Sequence, residues 1–278
     1  MINFIRYSAV LMLLGRAYQH IRWGGPFRDI FYDPQGFGGW YANFIDTPLK
    51  DIYNDHFYEN FLSYFSDFVG IVFLITAVVI LGYERLSKLK GFIYASTALL
   101  ALVFYGFLYG KNLDQYGMFF EHSAQLVFPL IFVWSYQRKT RLVNIIGSFA
   151  IAITYLCHGL YAYGYYPQPG HFADMMILGF GMTEDFARDL LVSIGIVDFV
   201  FALIVILGIY LKHYANNSSS LMLLLKVNLW YGVIWGLLTS LARVYTSYTD
   251  GMFLHWMDQY FLEFLVRVPH FALPYVLL

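Results

Sequence analysis

Histidine and arginine placed within apolar stretches are the residues of this chain that could do chemistry. Arg16 and His20 stand four apart, a spacing that puts both on one face of a helix. Glu121 and Gln125 repeat that spacing, as do Glu263 and Arg267. His122 and His158 lie near the ends of apolar runs, Arg243 closes another, and Asp198 sits inside one. An ionisable group costs a few kcal/mol when it faces lipid at a helix centre, so these must face a bundle interior or a wet cavity. There they serve one of two ends: a structural network of Arg16, Glu121, Arg243 and Glu263, or a site that binds a ligand and exchanges protons. Proline sharpens the second option. Pro129 frees the carbonyl of Gln125 and Pro274 that of His270, leaving backbone acceptors beside polar side chains.

Metal chemistry has less support. No HxH, HExxH or HxxxH pair occurs, so a metal would need ligands from separate helices. The candidate is a bis-histidine haem on His20 and His158, which stand at equivalent positions of a repeat. The plainer reading of the histidines is that they cap helix ends. Cys157 is the single cysteine, which excludes an internal disulfide and CxxC chemistry. No phosphate-binding glycine loop and no serine or cysteine triad signature appears.

The elements that must position these residues are membrane helices. The chain is 59% hydrophobic, 21% aromatic and 13% charged, whereas soluble domains carry about 25% charged residues. Apolar runs near 3–21, 61–82, 91–110, 117–136, 142–164, 188–211, 221–246 and 259–278 predict eight transmembrane helices, each close to the roughly 20 residues a bilayer core requires. Arg6, Arg16, Glu263 and Arg267 interrupt the first and last of them. The fold class is therefore all-α, a polytopic integral membrane protein.

The chain also reads as one unit written twice. Residues 70–83, GIVFLITAVVILGY, are echoed by 195–210, GIVDFVFALIVILGIY. Gly117-Met118-Phe119 returns as Gly251-Met252-Phe253, and Arg16-Ala-Tyr-Gln-His20 stands where Thr154-Tyr-Leu-Cys-His158 stands. The expectation is two parallel four-helix repeats, 1–138 and 139–278, with pseudo-twofold character between them.

Charge placement orients the chain. Arg85, Lys88 and Lys90, then Arg138, Lys139 and Arg141, and then Lys212 follow alternate runs. The positive-inside rule puts those loops and both termini in the cytoplasm, with the protein in the inner (cytoplasmic) membrane of the cell. The 138–141 run thus sets topology and is not a nucleic-acid patch. The first run lacks a small-residue cleavage site and reads as a retained helix. Loop 22–60, rich in Gly, Pro and aromatics, is expected in the outer interface. Thr183-Glu184-Asp185 is a helix start, and Asn216-Asn-Ser-Ser-Ser220 a polar turn.

Residues 188–211, with Gly195-Ile-Val-Asp198 running into Val205-Ile-Leu-Gly208, resemble the second helix of DoxX-like four-helix membrane proteins. The preceding run with His158-Gly159 is similar to that family's first helix and outer loop. The first copy departs from the pattern, with Phe73 in place of Asp198. The resemblance implies quinone-coupled sulfur oxidation, the activity of some relatives. A more distant similarity is to the membrane part of vitamin K-dependent carboxylases, whose chemistry needs a strong base that no well-placed lysine supplies here.

Three functions fit these readings. The first is a redox-linked membrane subunit binding a quinone-like apolar ligand near the outer leaflet through Arg16, His20, Glu121, His122, His158 and Arg243, with Tyr105, Tyr109, Tyr161 and Trp235 lining the apolar part. The second is a non-catalytic scaffold or accessory subunit docking partner subunits of a larger complex. The third is a small-molecule transporter. Within the first, Arg16 needs a carboxylate or an anionic ligand, and Glu121, then Glu263, are its expected partners.

Overall fold

The computed structural model describes residues 1–54, 56–111, 113–214, 219–248 and 252–278, apart from the side chains of 57 and 211–214. Gly251 of the repeated triplet, residues 216–218 of the polar turn, and the side chains of Lys212 and His213 lie outside them. Every regular element among the described residues is helical.

Helices occupy all eight apolar runs. They are α1 (Ile2–Trp23), α2 (His56–Leu81), α3 (Gly91–Tyr109), α4 (Ser123–Tyr136) and α5 (Thr140–Tyr163). A shorter α6 (Gly170–Phe180) precedes α7 (Glu184–Tyr214), α8 (Ser219–Thr246) and α9 (Leu262–Leu277). Five of these, α2, α3, α5, α7 and α8, are long and apolar enough to cross a membrane. The other three that fill apolar runs fall short of that standard. α1 carries Arg6, Arg16 and Arg22. α4 and α9 have 14 and 16 residues, about 21 and 24 Å of helix against a hydrocarbon core of ~30 Å.

α4 is short because of a break that the sequence reading missed, whereas α9 continues a helical path that starts at Phe253. The run 117–136 is not continuous: a helical turn over Gly117–Phe120 ends at Glu121, His122 takes a non-helical ψ of 8°, and α4 starts at Ser123. In the last run, Phe253–Trp256 passes through a π-helical turn, Met257–Phe261, into α9. The prolines do not interrupt their helices, since Pro129 lies inside α4 and Pro269 and Pro274 inside α9. The carbonyl of His270, freed by Pro274, lies against Gly236 of α8, where a Cβ would come within 2.9 Å of it.

Each half forms a closed set of neighbours. In the first, α1 packs on α2, α2 on α3, α3 on α4, and α4 on α1. In the second, α5 packs on α7, α7 on α8, α8 on α9, and α9 on α5. The halves meet where α1 touches α9, α4 touches α5, and α4 touches α9. Phe73, Phe104, Phe128 and Phe132 fill the first half, and Phe201 with Leu273 the second.

Glycine sets the closest approaches. A Cβ on Gly70 of α2 would stand 2.9 Å from the Ala17 carbonyl of α1, and one on Gly195 of α7 would stand 2.8 Å from the Gly159 carbonyl of α5. The echoed Gly-Ile-Val therefore marks, at both occurrences, a close helix crossing: α2 on α1 and α7 on α5. Two other glycines end helices: Gly164 (φ 90°) and Gly181 (φ 65°) take the left-handed conformation after α5 and α6.

Loop 22–60 is a folded cap. Short helices at Arg28–Phe31, Phe37–Phe44 and Leu49–Tyr53 sit on the ends of α2 and α3. Ala42, Ile52, Tyr58 and Leu62 form a small core of their own. Tyrosine hydroxyls fasten it: Tyr58 donates to the Phe31 carbonyl at 2.6 Å, Tyr53 to the Tyr32 carbonyl at 2.6 Å, and Tyr109 to Asp33.

Candidate functional site

The interior ionisable groups converge on one layer where α1, α4, α5, α8 and α9 meet. Arg16 is 5% exposed, and its expected pairing with Glu121 or Glu263 does not form. Its Nε and Nη2 instead donate to Gln125 Oε1 at 3.2 and 2.6 Å, and Nη1 donates to Gln19 Oε1 at 3.2 Å. Its guanidinium also covers the Phe104 ring, 5.2 Å from the centroid. The break at Glu121–His122 is the reason. It takes Glu121 off the face that Gln125 presents to α1.

Glu121 sits between two imidazoles, 3.7 Å from His122 Nδ1 and 3.7 Å from His158 Nε2. Those separations lie beyond hydrogen-bond range, so the contacts are electrostatic. His122 Nδ1 bonds the Met118 carbonyl at 2.9 Å, and a carbonyl only accepts, so Nδ1 carries the proton. His158 stacks on His270, with ring centroids 5.2 Å apart and planes 13° apart. His270 Nδ1 likewise donates to the Arg267 carbonyl, at 3.1 Å.

Glu263, the expected alternative for Arg16, belongs to Arg243. The Arg243 Nη1 donates to Glu263 Oε2 at 2.8 Å. Its Nη2 donates to His171 Nε2 at 2.6 Å, which requires a neutral His171. Partial desolvation, then the Arg243 and Arg267 guanidinium groups, hold the His171 pKa down to about 3, although the residue as a whole is exposed. The Arg267 guanidinium has no hydrogen bond or carboxylate contact among the described residues. It lies within electrostatic range of Arg243, Glu121, Glu263 and Arg16.

Two cavities flank this layer. The second-half cavity, of about 60 Å³, lies between α5, α7, α8 and α9 with α6 across it. His158, His270, Arg243, Arg267 and Asp198 supply its polar lining, and Trp235, Phe172, Met175 and Met176 its apolar wall. Asp198 is 3% exposed and accepts from the Tyr231 hydroxyl at 3.2 Å. The first-half cavity, of about 370 Å³, holds Arg16, Gln19 and His20 beside Asp258, Gln259 and Glu263.

The six candidate residues thus divide. Arg16 and His20 line one cavity, His158 and Arg243 the other, and Glu121 with His122 stands between. His20 and His158 face different neighbours: His20 bonds the Arg16 carbonyl and packs on Phe27 and Phe73, away from the His158–His270 stack. Among the described residues no group of three His, Cys, Asp or Glu is arranged to hold a metal ion. Of the four aromatics expected to line the site, Trp235 does so. Tyr109 fastens the cap, Tyr161 donates to Gln115 at 3.4 Å, and Tyr105 is exposed. Sequence reasoning did not give Arg267 and His270 a place in the ligand site, although their charge and the Pro274 beside them were visible.

No family model matches the chain, and no curated protein and no solved structure matches it.

Proposed function

We propose that the chain is an eight-span protein of the cytoplasmic membrane, built as two parallel four-helix repeats with both termini inside. It binds a quinone-like ligand in the second-half cavity as a redox-linked membrane subunit. Three features support the architecture: the echoed segments, the alternation of basic loops, and the helix neighbours. Exchanging α1 with α5 and α4 with α9 maps α1–α9 onto α5–α4 and leaves α4–α9 in place.

The ligand reading rests on one observation. The Arg267 guanidinium, a donor-only group without a hydrogen-bond partner among the described residues, faces the same cavity as the His158–His270 stack. Donors of this kind suit the carbonyl oxygens of a quinone head, and the apolar wall suits its ring. Quinone reduction takes two electrons, from a partner's redox centre, and two protons, for which Asp198 and the Glu121–His158 contact are the exchange groups. At about 60 Å³ the cavity admits a few waters, whereas a benzene ring needs ~150 Å³. A ring therefore enters only as the flexible Met175 and Met176 on α6 move aside.

A second reading, a non-catalytic subunit that docks partner subunits, is favoured by exposed apolar side chains at Trp40, Phe44, Leu178 and Phe180. The lipid extract and absorption spectrum of the purified protein separate the two. Bound quinone, and quenching of Trp235 fluorescence by a short-chain quinone that is lost in Arg267→Gln and His270→Leu, support the first. A quinone-free protein that a quinone titration leaves unquenched, co-purifying with other subunits, supports the second.

A further inference from the structure

The first-half cavity has a different charge balance and a different demand. Arg16 is buried, and its hydrogen bonds end on two uncharged amides. Among the described residues no carboxylate pairs with it. The acids beside it are committed: Glu263 to Arg243 at 2.8 Å, and Asp258 to the Tyr18 hydroxyl and, at 3.9 Å, to Arg22. The cavity's own lining sets Arg16 beside Asp258 and Glu263, but Arg22 and Arg243 share those carboxylates, so the buried guanidinium has none of its own. A guanidinium does not shed its proton to relieve that lack, so Arg16 itself calls for an anion.

The cavity also calls for hydrogen-bond donors. His20, 2% exposed, donates Nδ1–H to the Arg16 carbonyl at 2.9 Å, which leaves Nε2 an acceptor. That nitrogen is buried without a partner. The π-helical turn directs Asp258 and Gln259 to the cavity, and each has acceptor capacity to spare. An anion alone would leave these acceptors unmet and would be repelled by Asp258. An anion bearing hydroxyls answers both. On its other side Asp258 borders an open groove in which Leu254, Met257, Phe261 and Leu262 give an acyl chain an apolar wall and Tyr18, Arg22 and His255 a polar one.

We infer that the first-half cavity is a site for a phosphate ester carrying free hydroxyls, with the phosphate on Arg16 and the hydroxyls toward His20 and Asp258. After its bonds to Gln125 and Gln19, the Arg16 guanidinium keeps one N–H on each Nη for an oxyanion. The same chemistry comes from a phosphatidylglycerol headgroup or from free glycerol phosphate. The inference does not rest on the quinone reading, which concerns the other cavity.

The test uses the full chain in nanodiscs of phosphatidylcholine doped equally with phosphatidylglycerol and phosphatidylethanolamine, with retained lipid counted by native mass spectrometry. A soluble arm follows the fluorescence change on adding glycerol phosphate, assigned to Trp23 by its loss in Trp23→Phe. Retention of phosphatidylglycerol over both other lipids, reduced at least about tenfold in Arg16→Gln, identifies the lipid as the source. A Trp23 response to glycerol phosphate without lipid preference identifies the free ester. Should Arg16→Gln fail to fold, Gln19→Leu and Gln259→Leu at the cavity's rim carry the same expectation of weakened binding, and Arg188→Gln, remote from it, serves as the unaffected control. The inference is overturned by a preference for phosphatidylethanolamine, by the absence of both lipid preference and glycerol phosphate response, or by binding that these substitutions leave unchanged.

Discussion

Arg16 and Gln125 are bonded twice across the α1–α4 contact, with Nε and Nη2 of the guanidinium meeting one amide oxygen at 3.2 and 2.6 Å. A hydrogen bond to a charged group contributes ~1.5–3 kcal/mol, so Gln125→Leu should lower stability by about 2 kcal/mol or more. Arg16→Met should also destabilise, by leaving the amide unsatisfied. The double variant should exceed Gln125→Leu, because it removes the buried charge together with its acceptor. Thermal unfolding in detergent, followed by circular dichroism, gives the order. Wild-type stability in Gln125→Leu would mean that Arg16 is held by other groups.

The α5–α7 crossing should not tolerate a side chain at either of its glycines. A Cβ on Gly159 would come within 2.7 Å of the Phe199 ring and 2.9 Å of the Gly195 carbonyl, and one on Gly195 within 2.8 Å of both the Gly159 carbonyl and the Tyr163 amide nitrogen. Alanine at either position forces two backbones apart, at a cost of ~1–3 kcal/mol. Gly91 is the control, since nothing lies within 4 Å of its Cβ position, and Gly91→Ala should be near neutral. Equal melting temperatures for Gly91→Ala and Gly195→Ala would refute the close crossing.

These contacts show what was legible in the sequence. Long apolar runs fixed α2, α3, α5, α7 and α8 because burial and lipid both demand such residues over a full span. The repeated Gly-Ile-Val was legible as an echo, but its meaning needed the helix crossing. Arg16 was legible as a buried cation in search of a partner. The partner was misread because Glu121 and Gln125 share a face only if the helix is continuous, and ψ at His122 breaks it. No residue type marks that break, since neither proline nor glycine stands there. Arg267 was obscured for a related reason: the π-helical turn ahead of α9 shifts the register from which its facing would be read.

Acid should loosen the cap over 28–54. Asp33 is held below the ordinary carboxylate range, first by the Tyr109 hydroxyl and then by the Gln35 amide. An acid with a lowered folded pKa contributes its stability in full above its unfolded value near 4. It loses that contribution as pH falls through the folded value. Limited proteolysis of the cap should therefore accelerate below about pH 4, and Tyr109→Phe should be cleaved faster at neutral pH with a weaker acceleration by acid. A cleavage rate in Tyr109→Phe with the wild-type pH profile would exclude this contact as the fastening.

The eight-span topology can be tested one residue at a time, because Cys157 is the single cysteine and it is buried. Cys157→Ser gives a cysteine-free background. In it, Lys88→Cys and Lys139→Cys, in the basic turns after α2 and α4, should react with a membrane-impermeant maleimide only after the membrane is opened. Asp46→Cys, in the cap, should react in intact cells. The decisive position is Gln168→Cys, in the turn between α5 and α6. If α4 crosses despite its shortness, four crossings, α2 to α5, put Gln168 on the same side as Asp46. If only the five long apolar helices cross, three crossings, α2, α3 and α5, separate the cap from that turn. The two cysteines then label from opposite sides. Opposite labelling of 46 and 168 would replace the eight-span reading, and with it the parallel relation of the two halves.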